Sequence, residues 1–189
     1  MAREFIMLLR RLLEIVAGTL LISQLFLPLL CRAEGQELDE YQVKAGFVAS
    51  FVRFVEWPAE AFTSPQEPFA ICVLGRNPFG QALAALLAGK SVGDRPIVLR
   101  EIADTAGAAG CRIVFICSSE HLRVRAILKN IKETGVFTIG DTGDFTAEGG
   151  VASLVVDSGK VRIDLNVTAA KEKNLRISAR LLQVARVVK

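Results

Sequence analysis

Phe69-Ala70-Ile71-Cys72-Val73-Leu74-Gly75-Arg76-Asn77-Pro78-Phe79-Gly80 is the stretch on which the fold turns. Six apolar residues in a row, with Pro68 before them and Gly75 after, are too short for a helix. They read as a strand buried on both faces. Asn77-Pro78 then supplies a cap with proline at the first helical position, and the helix is expected over 78–88, stopping at Gly89. A strand that runs directly into a helix is half of a strand–helix–strand unit, and that unit implies a parallel sheet.

The residues on either side repeat the theme. Strands are expected over 96–100, with 91–92 beside it across Gly93-Asp94, then over 111–117 and 136–139. Residues 103–110 are small and glycine-rich, a connector. Ser118 or Ser119 caps a helix to about residue 132. Upstream, Asp39 and Gln42 form a capping box, and Val43, Phe47, Phe51 and Phe54 recur at helical spacing up to Pro58. Downstream the pattern changes. Residues 151–156 and 160–165 flank Asp157-Ser158-Gly159 as a β-hairpin. Thr168 caps a short helix to 174, and Leu181, Leu182, Val184, Ala185 and Val188 stripe a final helix. The expected fold is α/β: a largely parallel or mixed central sheet flanked by helices, with a C-terminal hairpin and terminal helix. No repeat or linker interrupts residues 37–189, which read as one domain.

The first 33 residues do not belong to that pattern. They hold 22 apolar residues, whereas residues 34–189 hold 75 of 156, so the mean hydropathy of +0.39 is concentrated at the start. Arg3, Arg10 and Arg11 precede an apolar run over 12–30, and Cys31-Arg32-Ala33 offers small residues at −3 and −1 of a cleavage point. This reads as a signal peptide over 1–33. An uncleaved anchor and a lipid-modified Cys31 are the alternatives. All three place the body outside the cytoplasm. The body nets only about one positive charge, which argues against nucleic acid as a partner.

Export changes how the cysteines read. Cys72, Cys111 and Cys117 remain after cleavage, and disulfides persist in an oxidising compartment. Spacing favours Cys72 with Cys111, a loop of about 40 residues worth roughly 3–4 kcal/mol in the chain-entropy model. Three small buried thiols are the alternative. None has metal-site or redox-motif spacing, so neither a metal nor a cofactor is expected.

No catalytic constellation is evident. His121 is the only histidine, and no serine has a matching partner pair. Gly75 and Asn77, in the strand-to-helix turn, occupy a place where phosphates bind in other folds, but the phosphate-loop glycine pattern is missing. Asp141 and Asp144, in Gly140-Asp141-Thr142-Gly143-Asp144-Phe145, lie at a strand end where α/β sheets cluster ligands, as do Gly149-Gly150. They lack the ligand spacing of an EF-hand. Trp57, the sole tryptophan, completes the ligand-binding candidates.

Several of these runs together resemble one family. They are Lys44-Ala45-Gly46-Phe47 through Phe51-Val52-Arg53-Phe54-Val55-Glu56-Trp57-Pro58; Cys72-Val73-Leu74-Gly75 with Asn77-Pro78-Phe79-Gly80; Gly93-Asp94-Arg95-Pro96-Ile97; Cys111-Arg112-Ile113-Val114-Phe115-Ile116; Ile139-Gly140-Asp141 with Phe145 and Gly149-Gly150; Gly159-Lys160-Val161-Arg162-Ile163-Asp164-Leu165-Asn166; and Ser178-Ala179-Arg180-Leu181-Leu182 through Ala185-Arg186-Val187-Val188. Their order resembles the YfiR-like family over about residues 40–188. The resemblance implies a periplasmic regulator rather than an enzyme. It would repress an inner-membrane diguanylate cyclase by binding its periplasmic sensor region, be relieved by an OmpA-like lipoprotein, and so control cyclic di-GMP and biofilm behaviour. It also implies a Cys72–Cys111 bridge. The chain departs from some members in having no later cysteine pair, and in reading Val151-Ala152-Ser153-Leu154 where a more aromatic stretch is common.

The partner surface expected on this basis is the hairpin and following helix, through Val151, Ala152, Asp164, Val167 and Ala170. The alternative function is a small-molecule sensor or solute-binding protein that uses the strand-end loops. A homodimer is left open.

Overall fold

The computed structural model describes residues 40–131 and 133–188. The expected export segment and the Asp39 cap lie outside the described residues. The chain opens on helix α1 (residues 40–51), then β1 (Val55–Glu56), β2 (Phe69–Leu74), α2 (Ala82–Leu87), β3 (Ser91–Val92), β4 (Arg95–Ile102), β5 (Cys111–Ile116), α3 (Val124–Asn130) and β6 (Phe137–Gly140). It continues through β7 (Ala152–Asp157), β8 (Lys160–Asn166), α4 (Val167–Glu172), β9 (Arg176–Ile177), α5 (Ala179–Val184) and β10 (Arg186–Val188). No helix among the described residues is long and apolar enough to cross a membrane.

Eight strands form one mixed sheet in the order β10-β8-β7-β6-β5-β2-β4-β3. The five central strands β7, β6, β5, β2 and β4 run parallel, and β8 and β3 turn back as antiparallel neighbours. β2 and β5 are buried at every position, which is why each reads as an unbroken apolar run. One face of the sheet carries Phe69, Ile71, Val73, Ile113 and Phe115 and packs with Ala45, Val48 and Phe51 of α1 and Leu83 and Leu87 of α2. The other face carries Ala70, Cys72, Leu74, Val114 and Ile116 and packs with Val124 and Ile127 of α3. The hairpin turns on Ser158-Gly159, with φ of 53° and 74°; two positive values in a two-residue loop match the twist of the flanking strands.

Five local expectations are corrected. In α1 the buried stripe is Ala45, Val48 and Phe51, while Val43 is 44% exposed. That helix ends at Phe51, before Pro58, because Val55 and Glu56 leave it to pair with Ile177 and Arg176. Asn77 closes a tight turn instead of a helix, its Oδ1 accepting from Phe79 N at 2.9 Å, so α2 starts only at Ala82. α4 is capped by Asn166, whose Oδ1 accepts from Ala169 N at 2.9 Å, and not by Thr168. The tail is not one helix. α5 stops at Val184, and Arg186–Val188 adds a strand beside β8.

Cys72 and Cys111 are joined, with Cα atoms 6.0 Å apart. A register irregularity makes this pairing available. Ala70 faces Cys111 and Ile71 faces Ile113, so Arg112 is an extra residue in β5. Without it, strict alternation would put Cys111 on the face of Ile113 and Phe115. The bulge returns Cys111 to the face of Cys72. Arg112 is itself held in place. Its carbonyl accepts from Trp57 Nε1 at 3.2 Å, and its guanidinium pairs with Glu67 at 3.2 Å.

Glu67 also accepts from the Thr63 hydroxyl at 2.9 Å and from the Thr63 amide. The Thr63 amide, more than Arg112, holds the Glu67 carboxyl below its ordinary range. A depressed carboxylate contributes stability above its unfolded pKa and loses it as pH falls through the lower folded value. Wild-type stability should therefore fall more steeply than that of Glu67→Gln on acidification below the ordinary carboxylate range. Parallel pH–denaturation curves for the two proteins would contradict this.

Candidate functional site

The ligand-binding candidates fall at opposite ends of the parallel strands. Trp57 sits at the end where the strands begin. Its ring meets Phe69, the first residue of β2, edge-on at 4.8 Å, and its indole N–H reaches the start of β5. Gly75, Asn77, Asp141 and Asp144 follow the last residues of β2 and β6, at the end where α/β sheets usually bind ligands. The chain passes from β2 to its neighbour β4 and then to β5 on the other side of β2, so the order reverses between β2 and β5.

The crest above that reversal is closed by its own side chains. Tyr41 of α1 donates to Asp141 Oδ2 at 2.8 Å, and its ring meets Phe79 edge-on at 5.9 Å. The buried Lys44 ammonium lies 4.7 Å from the Tyr41 ring centroid. Asn77 Nδ2 donates to Glu101 at 2.7 Å. Ser119 Oγ accepts from the Arg76 amide at 3.0 Å. Gly75 has φ +97°, and a Cβ there would come within 2.6 Å of that same hydroxyl. Asp144 is exposed.

Gly140, Gly150 and Phe145, in one of the strand-end loops that offered ligand candidates, form a packing device. A methyl group on Gly140 or Gly150 would overlap the fully buried Phe145 ring. The ring folds the 140–150 loop back on the sheet. Ser153 Oγ then donates to Thr142 O at 2.6 Å, and Val151 N donates to Thr138 Oγ1 at 3.0 Å.

Cys117 lies under this crest and is buried. Burial pushes its thiol up to about 12, and the negative charges of Asp141, Glu120 and Glu101 add to that. A thiol so protonated is a poor nucleophile at neutral pH. Alkylation by iodoacetamide at pH 8, mapped by mass spectrometry, should leave Cys117 unmodified in the native protein and fully modified in denaturant. Rapid native labelling would contradict the burial.

At the opposite end, Trp57 borders a cleft of 510 Å³ shared with Glu56, Glu60, Lys171, Asn174 and Arg176. These charged neighbours carried no readable pattern, because β1 and β9, which bring them together, are two residues long each. Among the described residues no group of three or more potential metal ligands comes together.

The expected partner residues lie on β7, β8 and α4, with Val151 just before β7. Val151, Ala152, Asp164 and Ala170 are buried, and Val167 is half-buried. Asp164 receives a forked pair of hydrogen bonds from Arg186, with Nε at 2.8 Å, which ties β10 to β8. These residues therefore shape the β7-β8-β10 end of the sheet from within.

No curated protein matches the chain significantly. Among solved structures, a conserved domain protein from Vibrio cholerae is 13% identical, with a TM-score of 0.49, over 64% of this chain and 54% of that one. The ABC domain from Streptococcus pneumoniae, in complex with L-Trp, is 11% identical, with a TM-score of 0.48, over 64% and 55%. The chain thus spans about half the length of these structures. The YfiR/HmsC-like family matches residues 41–186, all but a few of the described residues. That match spans more than half of the chain, and the chain belongs to the YfiR/HmsC-like family.

Proposed function

We propose that this protein is an exported, periplasmic regulator that binds the periplasmic sensor region of an inner-membrane diguanylate cyclase and represses it. Membership of the YfiR/HmsC-like family across residues 41–186 carries the reading. The crest supports it, because its polar groups serve one another. A binding module needs only a higher affinity for one state of its target. It would hold the cyclase in its inactive arrangement and lower cyclic di-GMP. An OmpA-like lipoprotein would compete for it. The partner-facing region is the β7-β8-β10 end of the sheet, built on Val151, Ala152, Asp164, Val167 and Ala170. The residues before the described part act as a signal peptide. The chain is not an enzyme.

The test is direct binding between the purified protein and the periplasmic segment of the membrane cyclase made by the same organism. A complex of micromolar affinity or tighter is expected. Absence of any complex at tens of micromolar contradicts the reading.

The 510 Å³ cleft beside Trp57 favours one second reading, a small-molecule sensor. Its lining pairs Glu56 and Glu60 with Lys171 and Arg176, which suits a small zwitterion. A ligand that binds only the folded state raises the unfolding temperature in proportion to ln(1+[L]/Kd). A thermal-shift screen of metabolites distinguishes this reading from protein binding alone.

A further inference from the structure

Charge is distributed unevenly along the exported chain. Residues 160–189 hold eight basic and two acidic residues, a net of +6. Residues 34–159 hold eleven basic and sixteen acidic residues, a net of −5. The basic segment includes α5 and β10, and β10 is the last strand of the sheet. Among the described residues it pairs with β8 and with no other strand. A strand edge offers a row of backbone N–H and C=O groups, which proteins normally protect with short strands and charge.

This edge is short and charged, but it also exposes apolar groups. Val184 is 71% and Val187 52% exposed, and Leu182, Arg180 and Arg186 of the same segment are exposed too. Bidentate pairing to the buried Asp164 fixes the Arg186 guanidinium, and that pairing raises its pKa further. The other edge strand, β3, consists of Ser91 and Val92, of which Ser91 is exposed and Val92 half-buried.

We propose that the α5–β10 edge docks an extended acidic segment of a partner protein, which adds to β10 as a ninth strand. Apolar side chains of that segment would cover Val184 and Val187, and carboxylates would meet Arg180 and Arg186. A second copy of this chain fits poorly. Two-fold pairing of β10 with β10 would oppose two edges of the same positive charge. The inference rests on the binding-module reading and specifies the chemistry of the partner.

The test uses a nine-residue alternating valine–glutamate peptide and its valine–lysine counterpart, with affinity read by fluorescence anisotropy. The glutamate peptide is expected to bind at least tenfold tighter than the lysine peptide, and more weakly in 0.5 M salt. Val184→Asp with Val187→Asp should cost at least tenfold in affinity without moving the unfolding midpoint. Arg180→Glu, a milder variant, should cost severalfold. Equal affinity for both peptides, no binding of either, an unaffected double variant, or capture by phosphatidylglycerol vesicles in place of the peptide would each overturn the proposal. Those failures leave the sensor-binding experiment standing. A peptide that binds while the sensor does not would keep the edge and remove the cyclase as its target.

Discussion

Replacing Cys72 and Cys111 with alanine is expected to cost about 4 kcal/mol, the chain-entropy value for a 39-residue separation. For a domain of this size that lowers the thermal midpoint by roughly 8–16 °C. Both half-cystines are fully buried in the layer between the sheet and α3, so the alanines also leave small voids. Because typical stabilities are about 5–15 kcal/mol, losing the bridge removes a large share. Calorimetry of the variant, and of wild type with and without reductant, checks this; coincident midpoints would contradict it. On the proposed function, reducing stress would then destabilise the repressor and weaken its hold on the target.

The second large effect concerns Phe145. Phe145→Ala should cost about 3–5 kcal/mol, the usual range for emptying a buried aromatic site. The loss is not confined to one cavity. Phe145 is the hub around which residues 140–150 close, so the Ser153–Thr142 and Val151–Thr138 hydrogen bonds loosen with it. Gly150→Ala approaches the same site from the other side. It adds a methyl where the ring already lies and should cost about 1–3 kcal/mol as overpacking. Urea unfolding of the two variants measures both. A neutral Gly150→Ala would mean that the loop is not clasped on the ring.

What could be read from the sequence was whatever burial writes in continuous form. β2 and β5 are buried at every residue, so their apolar runs were unmistakable, and the hairpin declared itself through Ser158-Gly159. Features decided by distant pairing left weak traces. β1 and β9 are two residues long, too short for any period, yet they end α1 early and assemble the cleft around Trp57. The stripe over 181–188 has helical spacing, but β8 captures its last residues as a strand, leaving Leu182 and Val184 exposed.

The bridge was legible as a pairing but not as a mechanism. Alternation alone places Cys111 on the wrong face, and only the bulge at Arg112 corrects it. Trp57 and Glu67, far away in sequence, hold that bulge in place. The ligand-like glycines had the opposite fault. Gly140 and Gly150 read as a tight strand-end loop with ligand binding as a second reading, because close approach to a ligand and close approach to a phenyl ring call for the same residue. Which of the two applies depends on Phe145 folding back between them, a tertiary fact.

On the proposed function, this chain restrains a membrane cyclase from the periplasm. Intracellular cyclic di-GMP, measured in the source organism with the gene intact, deleted and restored, tests it most directly. A severalfold rise on deletion, reversed by the restored wild-type gene, is expected. Cyclic di-GMP unchanged by deletion would contradict it.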